Sequence, residues 1–115
     1  MVITYFEALA LINNSRNGKV NLAHKTYLRL DFDNPDNYAT IYYWSTPVVS
    51  ICSNHTYTLN SGGRMTSTTK KRINDYSPAS LYQDNFQWLL KTPEGIYPFF
   101  DNIIIDSFGS IIPSL

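Results

Sequence analysis

Cysteine and histidine are nearly missing from this chain of 115 residues: Cys52, His24 and His55 are all it has. A lone cysteine rules out an intrachain disulfide and suits a reducing cytoplasm. Neither histidine has a Cys, His or Glu at metal-binding spacing, so no metal site is expected. Charge is scarce as well. Charged residues are 16% of the chain, nine acids against nine bases, and a net charge of zero argues against a strongly basic nucleic-acid binder. The acids stand singly along predicted loops, as at Asp31, Asp33, Asp36, Asp84, Glu94, Asp101 and Asp106. Paired carboxylates for acid–base work are therefore not visible, and the first three lack the spacing and closing Glu of a calcium loop. No apolar run nears the ~20 residues of a membrane-crossing helix. The N-terminus lacks a basic start and is interrupted by Glu7, so it does not read as a signal peptide. These absences predict a protein with no enzymatic activity, no cofactor and no membrane segment.

What is present is aromatic. Aromatics make up 15% of the chain, with nine Tyr, and hydrophobic residues 43%, enough for one folded domain spanning residues 1–115. Thr4 and Glu7 form a capping-box pattern, and Tyr5, Leu9 and Ile12 recur at helical spacing, which predicts a helix from Tyr5 to Asn13. Thr26, Leu28, Leu30 and Phe32 alternate with polar or aromatic neighbours and predict a half-buried strand. A turn at Asp33–Asn37 returns the chain through Tyr38–Trp44. Pro47 breaks this run or marks an edge. Val48–Cys52 and Thr56–Leu59 predict a further strand pair, Ser80–Gln83 another strand, then Phe86–Leu90, Ile96–Phe99 and Ile103–Ile105. The fold class is α+β: a curved antiparallel sheet of about five to seven strands, one leading helix, and one short helix after Gly62-Gly63. The apolar tail, Ile111, Ile112 and Leu115, is expected to dock on its own domain or in a homodimer.

The most informative stretch is residues 61–76. Gly62-Gly63 supplies a turn with positive φ, and Thr66, Ser67, Thr68 and Thr69 offer N-cap oxygens. A helix of about two turns follows, pinned by Ile73 and Tyr76 and ended by Pro78. Four of the nine bases lie here: Arg64, Lys70, Lys71 and Arg72. No acid precedes Asp75, although a helix N-terminus favours negative charge. Converging N–H groups, hydroxyls and cations predict an anion site at Gly62, Gly63, Arg64, Thr66, Thr68, Thr69, Lys70 and Arg72. It is not a P-loop, because the lysines follow the threonines. Strand aromatics Tyr27, Tyr42, Tyr43 and Trp44 are candidates for stacking bases.

Over Tyr57 to Tyr76, and more loosely at Lys25-Thr26-Tyr27 and Gln87-Trp88, the chain resembles small bacteriophage proteins, cyanophage ones among them. The run Thr58-Leu59-Asn60-Ser61-Gly62-Gly63, then Thr66, Thr68-Thr69-Lys70 and Arg72-Ile73-Asn74 carries the resemblance, which departs at Arg64, where the pattern has Trp. The resemblance implies a viral origin, hence a host cytoplasm, and implies no particular activity. Three functions compete: a non-enzymatic viral protein holding an anionic small molecule such as a nucleotide signal of host defence, a nucleic-acid-binding accessory protein, and a protein–protein inhibitor of a host factor.

Overall fold

The computed structural model describes residues 1–31 and 38–112. The first helix, α1, runs Tyr5–Asn13. The Thr4 hydroxyl accepts the Glu7 N–H and the Glu7 carboxylate accepts the Thr4 N–H, both at 3.1 Å, so the capping box forms as expected. Ala8 and Ile12 are buried and Tyr5 and Leu9 half-buried, one apolar stripe at helical spacing.

Five strands follow as an antiparallel meander: β1 Lys19–Ala23, β2 Thr26–Asp31, β3 Tyr38–Tyr43, β4 Thr46–Ile51 and β5 Tyr57–Leu59. The chain then leaves the sheet through a second helix, α2 Ser67–Tyr76, and three strands, β6 Leu81–Asp84, β7 Gln87–Thr92 and β8 Gly95–Pro98, which form a sheet of their own. It returns as β9 Ile103–Ile105 beside β5, with β10 Ile111–Ile112 at the edge. One apolar row crosses five strands in register: Leu28, Ile41, Val49, Leu59 and Ile103 are all buried neighbours.

Ile73 and Tyr76 bring α2 onto this core, as their spacing predicts. The Ile3 N–H donates to the Tyr76 carbonyl at 3.2 Å, and the Tyr57 hydroxyl donates to the Ile3 carbonyl at 2.8 Å. Helix, N-terminus and sheet are thus tied at one point. Asn74 fixes the smaller sheet: its amide donates to the Leu81 carbonyl and accepts the Leu81 N–H. Trp88 and Leu90 on β7 join the same core.

Several details differ from the sequence expectation. The strands divide between two sheets, and Asn74 of α2 gives β6 a partner outside the main sheet. The short edge strand β1 is additional, since the two apolar residues Val20 and Leu22 are too few to signal it. Pro47 neither breaks β4 nor lies on an edge strand. It sits at a bulge, where Ile41 pairs with Val49 and Tyr42 with Pro47, leaving Val48 extra. Phe86 does not continue the inward alternation of β7. It occupies the β6–β7 turn at φ +66 and is 95% exposed. Of the tail, Ile111 packs in the chain's own core. The Phe32 position, the Asp33–Asn37 turn with its two acids, and Leu115 lie outside the described residues.

Candidate functional site

Three turns meet at one end of the main sheet: Ala23 to Thr26 between β1 and β2, Trp44-Ser45 between β3 and β4, and Gly62-Gly63-Arg64 after β5. Ala23, Lys25 and Thr26 of the first, Trp44 and Ser45 of the second and Arg64 of the third line an open cavity of about 700 Å³. Lys19, Lys25 and Arg64 supply three cations and Tyr27 and Trp44 two rings; Asn21, Ala23, Thr26 and Ser45 complete the wall. No carboxylate is among these residues.

Each wall is held by local chemistry. Arg64 is aimed by a tight turn: its N–H donates to the Ser61 carbonyl at 3.1 Å, and Gly62 and Gly63 adopt φ +64 and +77. Two successive positive φ values define a turn for which glycine is the natural residue. Gly62 is required sterically as well, because a Cβ there would lie 2.5 Å from the Thr46 methyl. The Asp101 carboxylate accepts both the Ser61 N–H and the Ser61 hydroxyl at 2.8 Å. This carboxylate, read from the sequence as a lone loop acid, is exposed and also anchors the turn.

The other two turns carry strain. Lys25 and Trp44 take φ +52 and +56, and the Trp44 N–H donates to the Lys25 carbonyl at 2.8 Å. A left-handed Trp is disfavoured by about 1–3 kcal/mol, and such residues concentrate at ligand sites. Bulges flank the same region. Asn21 pairs with Tyr27 and Ala23 with Thr26, which leaves Leu22 extra in β1. The cations rest on rings: the Lys25 ammonium lies 5.0 Å from the Trp44 centroid and that of Lys19 4.3 Å from Tyr27. Trp44 remains 50% exposed.

Of the sequence candidates, the structure brings Arg64 to the cavity wall, with Gly62 and Gly63 in the turn behind it, and leaves the others on α2 or at its N-cap. Thr66 is the N-cap, its hydroxyl accepting the Thr69 N–H. Thr69 is only 1% exposed and shares a hydrogen bond with the Thr66 hydroxyl. Among the described residues the N–H groups of Ser67 and Thr68 have no partner within the chain, nor has the Lys70 ammonium. Lys71 and Arg72 do have an acid: Asp75 lies 3.3 and 3.9 Å away. Arg72 also stands against the Tyr43 ring at 5.8 Å, beside the core. Of the four stacking candidates, Tyr27 and Trp44 line the cavity, Tyr42 is buried and Tyr43 packs on the core. Lys19 and Lys25 were not legible as site residues, because they are adjacent to Arg64 only once β1 is in place. No cluster of three metal-ligating side chains occurs among the described residues, and no helix there is long and apolar enough to cross a membrane.

The model of the Kyanoviridae Gp96 protein family matches residues 4–106. The chain belongs to this family. It is therefore a phage protein, and the match spans α1 through β9, including every wall of the cavity. No curated protein and no solved structure matches the chain.

Proposed function

We propose that this phage protein is a non-enzymatic binding protein whose cavity takes a phosphate-bearing ligand with a flat ring, that is, a nucleotide. The observation that carries the reading is the placing of Arg64 and Lys25 with a half-exposed Trp44 in one cavity that has no acid among its lining residues. Cations and rings together suit phosphate on one side and base on the other. With neither carboxylate, imidazole nor thiol in the lining, the reading assigns the cavity binding and no bond-making. A nucleotide signal of host defence is one ligand of this class that a phage protein would meet in the host cytoplasm.

Calorimetric titration with a nucleoside 5′-monophosphate tests it. Arg64→Ala should weaken binding by roughly 10- to 100-fold, as expected for loss of charge-assisted hydrogen bonds to phosphate. Lys70→Ala separates this cavity from an anion site at the start of α2. If Lys70→Ala abolishes binding while Arg64→Ala does not, the ligand sits at the helix and the cavity reading is wrong.

A further inference from the structure

We infer that the cavity is built for two rings joined through one phosphodiester, a dinucleotide unit, rather than for a single nucleotide. This rests on the nucleotide reading above and adds a second platform to it. One nucleotide would occupy Trp44 with Lys25 and Arg64. That leaves a second, separate pair, Tyr27 under the Lys19 ammonium at 4.3 Å, lining the same cavity without a role.

Tyr27 is built as a platform. Its ring stacks on Tyr42 at 5.1 Å and 11°, and the Arg29 guanidinium lies 4.6 Å from the Tyr42 centroid. Tyr27 is thus braced by a buried ring, and the side chain that lies over it from β1, Lys19, is exposed. A base displaces an ammonium from a ring face readily when a phosphate is at hand to receive the ammonium. Both rings have such a movable cation, whereas Arg64 has no ion-pair partner among the described residues. Two bases on Tyr27 and Trp44, with the phosphate between them on Arg64, use every charged and aromatic group in the wall. The same unit occurs as a free dinucleotide and as one step of a single strand.

The test compares a deoxymononucleotide, the 5′-phosphorylated deoxydinucleotide of the same base and a longer single strand of that base, at one low salt concentration. The dinucleotide should bind about tenfold or more tighter than the mononucleotide, the effect of one added stacked base. Tyr27→Leu should bring that ratio down towards one, and so should Lys19→Gln, a surface change that serves if Tyr27→Leu does not fold. Equal affinities for mono- and dinucleotide overturn this inference and leave the nucleotide reading standing. Binding of neither overturns both. A dinucleotide advantage supports the inference, and the long strand then names the source: capture at equal affinity per site points to single-stranded nucleic acid, and exclusion to a free dinucleotide.

Discussion

At the scale of single residues, two aromatic side chains sit where the backbone would rather have glycine. Phe86 follows Asn85 in a turn with φ +55 and +66 and buries almost nothing. Phe86→Gly should therefore stabilise the fold by about 1 kcal/mol, read from denaturant unfolding. A loss of stability there would mean that the ring packs on the protein. Trp44 lies in the same backbone region, but in the cavity. Trp44→Gly should leave stability equal or raise it by up to ~1 kcal/mol while removing nucleotide binding, a trade typical of strained functional positions. A large loss of stability on Trp44→Gly would make the ring structural. The reason neither strain is visible in the sequence is physical. Each depends on hairpin register, and turn chemistry alone would have placed Gly or Asn at those positions.

Among the elements, α2 shows how far local rules reach. Its existence, its end before Pro78 and its anchors Ile73 and Tyr76 follow from spacing and breakers in the sequence. Which of four hydroxyls caps it does not, because Thr66, Ser67, Thr68 and Thr69 are chemically equivalent until tertiary packing buries one. The structure selects Thr66 as cap and buries Thr69. Thr66→Ala should cost about 1 kcal/mol of stability without changing nucleotide affinity, since the cap is not part of the cavity wall. A fall in affinity at unchanged stability would put the ligand at the helix start instead. The hairpins β2–β3, β4–β5 and β7–β8 were equally legible, from period-two alternation bounded by turn residues. The return of β9 beside β5, across an excursion of more than forty residues, was not, since pairing between distant strands leaves no local signal. For the same reason, of the residues that line the cavity the sequence singles out only Arg64 and the aromatics Tyr27 and Trp44.

For the whole molecule, the point joining N-terminus, α2 and sheet gives a pH signature. Burial raises the Tyr57 hydroxyl above its ordinary pKa of 10.0, and the Glu7 carboxylate adds to the rise. Burial likewise raises Tyr76, with Asp75 adding and Arg72 and Lys71 opposing. The unfolded chain releases these protons near pH 10, while the folded chain holds them to higher pH. Between those limits the native state carries more protons, so its stability falls as pH rises. This contribution is fully present below pH 10 and lost above it. Tyr57→Phe should make the alkaline decline shallower and should cost about 1 kcal/mol at neutral pH, because the hydrogen bond to Ile3 is gone. An unchanged alkaline slope would show that Tyr57 is not a source of the decline.

The central claim, a nucleotide held between cations and Trp44, is read most directly from the two indole N–H resonances. Trp44 is half-exposed in the cavity, whereas Trp88 is 3% exposed in the core and serves as the internal reference. In a proton–nitrogen correlation spectrum titrated with a nucleoside 5′-monophosphate, the Trp44 indole and the Arg64 amide should shift together, with Trp88 unmoved. A spectrum that does not change, or one in which the amides of Ser67 to Lys70 move while Trp44 stays still, would contradict the claim.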